Sequence, residues 1–321
     1  MDMMLKEKIL EGYEITRQDA LSLVEQPLEE LCAAADEIRK AFCSDGFDLC
    51  TIINGKSGRC PENCRFCAQS AHNHTQAAQY PLLPAEEIVE QAKENERQGV
   101  LRYSIVTSGK RLSDEEVDRM CEAVRRIRSE CSISVCVSFG LLNREQFARL
   151  KEAGVTRVHN NLEASRSFFP KVCTTHTFDD KVAAIRAAQE AGLSVCSGGI
   201  MGLGEGWKDR IDMALSLRDL GIESVPVNML NPVPGTPLEG QERLTGDEMR
   251  RIVAIYRFIL PGAAIRLAGG RGLLEDKGVG CFQSGANAAI SGDMLTTAGI
   301  TVATDRKLLE ELGYQVRYDH E

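Results

Sequence analysis

Three cysteines, Cys60, Cys64 and Cys67, stand within eight positions of the segment "RCPENCRFCAQS". A closed zinc site takes four ligands, usually from CxxC pairs or mixed Cys/His sets. The spacing here is CxxxCxxC, and a zinc set would have to borrow His72 or His74 from the polar stretch "SAHNHTQ". Three thiolates can instead hold three irons of a cubane 4Fe-4S cluster and leave the fourth iron open to an incoming ligand. An open corner is where chemistry can be done, so the second reading is the expectation.

The elements that position these thiols are those of one large α/β protein. The chain has 321 residues, 43% of them hydrophobic, enough for a sizeable core. Twelve cysteines, behind a charged N-terminus with no apolar leader, point to a reducing compartment, and a cytoplasmic location is expected. A net charge of −9 argues against nucleic acid as a partner, and no apolar run reaches membrane-spanning length. Residues 1–45 read as a helical extension. After them a repeat sets in, in which a helix ends at Gly and a short strand follows: "RQGVLRYSIV", "KEAGVTRVHNN", "QEAGLSVCSGG" and "RDLGIESVPVNM". Gly suits the left-handed position past a helix, and alternating apolar residues suit a strand. With "FDLCTII", "SISVCVS", "AAIRLAG" and "NAAISGD", eight strands alternate with helices. The expected fold is a (β/α)8 TIM-type barrel over 46–321, a single catalytic domain, with an open doubly wound sheet as the alternative. The cysteine loop follows the first strand, at the mouth where barrel chemistry sits.

CxxxCxxC with an aromatic, Phe66, before the last cysteine resembles the signature of the radical S-adenosylmethionine (SAM) superfamily. The segments "HNNLEAS", "VCSGGIMGLGE", "ESVPVNMLNPVPGTPL", "IRLAGGR" and "CFQSGANAAISGDMLTT" resemble, in order, the biotin synthase family within it. The resemblance implies that SAM chelates the open iron and is cleaved to a 5′-deoxyadenosyl radical. It further implies that this radical abstracts two hydrogens from dethiobiotin and that an auxiliary iron–sulfur cluster donates the sulfur. Such C–H bonds lie beyond acid–base chemistry, so a cofactor must carry the reaction.

Three auxiliary ligands carry over from the family pattern: Cys136, Cys196 and Arg266. The fourth does not. Ser104 stands where the family has cysteine on the second strand, and Cys50 stands on the first strand where the family has serine. A serine hydroxyl is a poor iron ligand, so the expected set is Cys50, Cys136 and Cys196 with Arg266. Moving one ligand also opens the choice between a 2Fe-2S cluster and a four-iron cluster carrying an extra sulfide, the latter favoured. For SAM, the resemblance implies Phe66, Glu163, Lys181 and the backbone of Gly199, Ile200, Gly202 and Gly204. For dethiobiotin it implies Asn161 and Asn228. Flavodoxin or ferredoxin is the expected electron donor and a homodimer the expected assembly. A HydE-type maturase is the nearest alternative enzyme, and a non-catalytic electron-transfer or metal-storage protein the alternative of another kind. Cys32, Cys43, Cys121, Cys131, Cys173 and Cys281 lack ligand spacing and are expected to be structural.

Overall fold

Along "GFDLCTIINGK" the residues alternate in side, so Phe47 and Leu49 join the hydrophobic core while Cys50 and Ile52 line an internal cavity. Repeated on neighbouring strands, that two-residue period closes a barrel. The computed structural model describes residues 3–318. Met1, Asp2 and residues 319–321, which the predicted extension and barrel include, lie outside the described residues.

Helices α1 (Met3–Leu10), α2 (Arg17–Ser22) and α3 (Leu28–Cys43) come first. The strands are β1 (Gly46–Lys56), β2 (Arg102–Thr107), β3 (Ser134–Ser138), β4 (Arg157–His159), β5 (Ser194–Cys196), β6 (Gly199–Met201), β7 (Ser224–Met229), β8 (Ala264–Leu267), β9 (Ala288–Ser291) and β10 (Gln315–Val316). Between and after them run α4 (Ala85–Arg97), α5 (Asp114–Glu130), α6 (Arg144–Ala153), α7 (Phe178–Glu190), α8 (Trp207–Asp219), α9 (Gly246–Ile259), α10 (Val279–Phe282) and α11 (Val302–Glu311). The parallel ladder runs β1-β2-β3-β4-β5-β7-β8-β9, and β9 pairs back with β1. The sheet is therefore a closed eight-stave barrel, and the open-sheet alternative is set aside.

Two strands depart from the simple count. The fifth stave is split into β5 and β6, both of which pair with β7. The break falls at Ser197–Gly198, opposite Pro226, which has no N–H to give the ladder. A side chain at 198 would meet the Pro226 carbonyl oxygen at 1.9 Å, so only glycine fits there. The second departure is β10, which pairs with the start of β1 outside the ring.

Helix starts are marked by reciprocal caps: Ser113 with Glu116, Asn143 with Gln146, Thr177 with Asp180 and Thr245 with Glu248. Each satisfies two backbone donors at the strand-to-helix side of the barrel. Among the described residues no helix is long and apolar enough to cross a membrane.

Candidate active site and cluster ligands

The cysteine loop, residues 57–84, links β1 to α4 and is longer than most ordered connections. It is fixed by its own polar groups. Cys60 N–H donates to Gln69 O (3.0 Å) and Ala71 N–H to Cys60 O (2.8 Å). Asn73 Nδ2 donates to the carbonyls of Cys64 (3.2 Å) and Cys67 (2.8 Å). All three cysteines are half-buried and line one cavity of about 410 Å³, within the size range of small-molecule sites. Among the described residues, the one set of Cys, His and acidic ligand atoms within 4.8 Å of one another is Cys64, Cys173 and His176. A single tetrahedral ion needs ligand atoms about 3.3–3.8 Å apart. Cys60, Cys64 and Cys67 line one cavity without forming such a single-ion set. His72 Nε2 instead meets Pro61 O at 3.0 Å, and neither His72 nor His74 joins a metal-sized set.

The same cavity reaches Cys50, Cys136 and Cys196 at its floor, each buried. Across the ladder Ser104 faces Cys136 and Ile52 faces Ser104, while Cys50 pairs with Arg102. The thiol on β1 thus sits on the neighbouring strand and one inward step below the Ser104 level. Arg266 Nη1 donates to Cys50 Sγ at 3.1 Å and to the carbonyls of Asp48 (2.9 Å) and Ala289 (3.1 Å). Its Nη2 lies 2.7 Å from Asp48 Oδ2. Arg157 approaches the same carboxylate at 3.3 Å. Burial disfavours the Asp48 charge, yet Arg266, Arg157 and Arg102 together hold its carboxyl below the usual range.

Arg157 and Arg266 thus share one carboxylate in a space that TIM-type barrels ordinarily fill with branched apolar side chains. That surplus of positive charge, beside three thiols, fits an anionic iron–sulfur group. The thiols are not equivalent. Burial pushes Cys50 up to about 12, with the Arg266 charge only partly opposing it. At Cys196 burial is outweighed by the hydrogen bond to His159 and by the charges of His159, Arg266 and Arg157, which bring it down to about 6. Because a thiolate is the metal ligand, Cys196 is the thiol readiest to bind. Ser224 Oγ donates to Cys196 Sγ at 3.3 Å.

Nearer the mouth lie the two asparagines. Asn228 Nδ2 donates to Gly199 O (3.0 Å) and its Oδ1 accepts from Gly269 N–H (2.9 Å). Asn161 Oδ1 accepts from Gly198 N–H (3.1 Å) and its Nδ2 reaches Glu163 Oε2 (3.3 Å). Each amide is braced by backbone and keeps an N–H and a lone pair for a ligand. Glu163 has φ +68°, in the left-handed region, and a side chain at Gly199 would meet its carbonyl oxygen at 2.6 Å. Burial raises the Glu163 carboxyl, with Lys181 opposing. Phe66 and Ile200 pack with Ala164, Phe168, Leu203 and Leu230 in a separate apolar group. Gly202 N–H bonds Glu205 (2.9 Å), and Gly204 has φ +96°.

Several polar residues in or beside this cavity have no role in the sequence expectation. Asp48, Arg102 and Arg157 share the inward face of their strands with Cys50, Ser104 and His159, a signal that two-residue alternation carries. Asn160 is buried, accepts from Lys181 Nζ at 3.3 Å, and its Nδ2 has no protein partner. Cys173, expected to be structural, lies against Cys64; nothing in its spacing marks it.

Comparison with known proteins agrees with this geometry. Residues 54–217 match the family model described as the Radical SAM superfamily, and residues 226–315 the Biotin and Thiamin Synthesis associated domain. The chain is 62% identical over 312 residues to a biotin synthase of Brachyspira hyodysenteriae, covering 97% of this chain and 94% of the relative. It is 60% identical over 317 residues to biotin synthase 2 of Corynebacterium diphtheriae (98% and 96% covered). Among solved structures, methylornithine synthase (PylB) superposes with a TM-score of 0.85 at 23% identity, covering 98% of both chains. The hydrogenase maturase HydG gives 0.83 at 19%, covering 98% of this chain and 75% of its own. At those identities the two structures show the fold alone, and the near full-length relatives set the maturase alternative aside. By these matches the chain belongs to the biotin synthase family of radical SAM enzymes.

Proposed function

We propose that the protein inserts one sulfur atom between two saturated carbons of dethiobiotin. The observation that carries this reading is that the rim thiols Cys60, Cys64 and Cys67 and the floor thiols Cys50, Cys136 and Cys196 line one cavity, with Asn161 and Asn228 lining it too. When bound, a 4Fe-4S cluster and SAM at the rim would supply the hydrogen-abstracting radical, and an auxiliary cluster at the floor the sulfur. The chain's own residues bind, orient and exclude water. The free N–H and lone pair of Asn161 and Asn228 complement a cyclic urea. Phe66 and Ile200 offer an apolar wall to adenine, and Glu163 accepts from ribose hydroxyls. Lys181 offers a point charge to the SAM carboxylate, and Gly199, Gly202 and Gly204 allow close backbone approach. Arg266, held by Asp48, supports Cys50.

At the floor we favour a four-iron cluster with an extra sulfide over a 2Fe-2S cluster. Three thiols leave one iron uncapped, and the surplus arginine charge suits a more anionic group. Iron and sulfide counting with Mössbauer spectroscopy on anaerobically loaded protein tests this. Roughly eight irons per chain support it, and roughly six defeat it. The reaction itself is tested by an anaerobic assay with dethiobiotin, SAM and a strong reductant. Biotin, with two 5′-deoxyadenosines released per biotin, is expected; SAM cleavage that ignores dethiobiotin would overturn the reading.

A further inference from the structure

Cys64 is the one rim cysteine that also belongs to a metal-sized group. Its partners, Cys173 and His176, lie in the loop before α7, and all three ligand atoms fall within 4.8 Å of one another. Cys173 Sγ is 3.3 Å from His176 Nδ1. The same nitrogen contacts the Glu62 carboxylate, which also accepts from the Thr175 hydroxyl at 2.8 Å. Cys173, His176 and Glu62 are 3%, 7% and 6% exposed. The two loops are joined by hydrogen bonds that need no metal. Asn63 Oδ1 accepts from Thr174 N–H (2.9 Å) and Thr175 N–H (3.2 Å), and Arg65 N–H donates to Val172 O (3.0 Å).

Two thiols and one imidazole nitrogen form a three-ligand donor set for a single thiophilic divalent cation of the first transition row, with the Glu62 carboxylate beside it. The Cys173–His176 separation already matches the spacing such an ion imposes. Asn63 and Thr175 act as the outer partners that hold metal ligands in orientation.

We propose that the cluster-free chain binds one thiophilic divalent cation through Cys64, Cys173 and His176, and that the first iron of the rim cluster enters here. Binding releases the thiol protons of Cys64 and Cys173, and His176 binds through Nδ1 with its ring proton on Nε2. Cys64 serves both sets, so the single ion and the finished cluster exclude each other, and recruitment of Cys64 into the cluster releases the ion beside its destination. The entry role rests on the cluster reading above; the cation site does not.

The test uses Co²⁺ as a spectroscopic probe on full-length, cluster-free protein without oxygen. Protein carrying Cys60→Ser and Cys67→Ser retains one Co²⁺ with tetrahedral visible bands and thiolate charge transfer. Adding Cys173→Ser or His176→Gln weakens that binding about tenfold or more. Circular dichroism and thermal melts verify that each variant is folded, and His176→Gln keeps a hydrogen-bonding side chain at the position. Unchanged affinity in both added variants, or no Co²⁺ site in the Cys60/Cys67 double variant, overturns the site. For the entry role, His176→Gln in the otherwise native chain takes up iron and sulfide several-fold more slowly to the same final content. Equal loading rates, with Co²⁺ affinity lost, overturn the entry role alone. A parent chain that never gains a rim cluster overturns the cluster reading instead.

Discussion

The rim cysteines fall within eight positions of one loop, are half-buried, and are held by that loop's own backbone bonds. The floor cysteines come from β1, β3 and β5, are almost fully buried, and stand beside Arg157 and Arg266, which share the Asp48 carboxylate. A corner that exchanges a ligand needs access, and a short local motif provides it. A cluster that must be shielded from water needs walls, and only side chains from separate staves supply them. The first arrangement tolerates change in the barrel, whereas the second depends on register throughout it.

The largest expected break in that contrast is Cys67→Ala. It removes a rim ligand, lowers iron by roughly four per chain and abolishes 5′-deoxyadenosine release, while the floor absorption persists. Next comes Cys50→Ala, which stops biotin formation but leaves SAM cleavage measurable; unchanged biotin yield would remove Cys50 from the ligand set. A Cys50→Ser, Ser104→Cys double variant sharpens the point, because recovered sulfur insertion would show that the two positions exchange. Asp48→Asn leaves Arg266 without its buried partner and costs about 3–5 kcal/mol in denaturant unfolding of cluster-free protein. The cost is smaller after loading, since an anionic cluster takes over part of the pairing. The smallest effect is expected from Asn228→Ala, about a tenfold rise in KM for dethiobiotin with SAM binding little altered.

The rim set was legible because its three members are neighbours in sequence, and the barrel because Gly-ended helices announce each following strand. Cys136, Cys196 and Arg266 became legible only through resemblance, since short strands carry no spacing signature. Asp48 and Arg102 stand two residues before Cys50 and Ser104, so alternation marked them as inward. That Asp48 meets Arg157 and Arg266 across the barrel depends on closure, which no local pattern encodes. The split of the fifth stave was hidden for a similar reason, because it follows from Pro226 lying opposite Gly198. Cys173 was hidden most completely. It lies 110 residues from its contact Asn63, and a single buried cysteine looks the same in sequence as any small apolar residue.

The short strand β10 also bears on access to the cavity. It lies alongside the start of β1, Arg317 reaches Asp45 at 2.5 Å, and the Tyr318 ring lies 5.0 Å from the Arg102 guanidinium carbon. Arg102 lines the cavity, so the Tyr318 ring covers it on that side, while the rim thiols lie at the mouth that nucleotide and substrate would use. Replacement iron and sulfide entering at that mouth would share the route, so repair and turnover would take turns. Saturating SAM and dethiobiotin together should therefore slow restoration of a spent floor cluster, measurable as delayed recovery of its absorption.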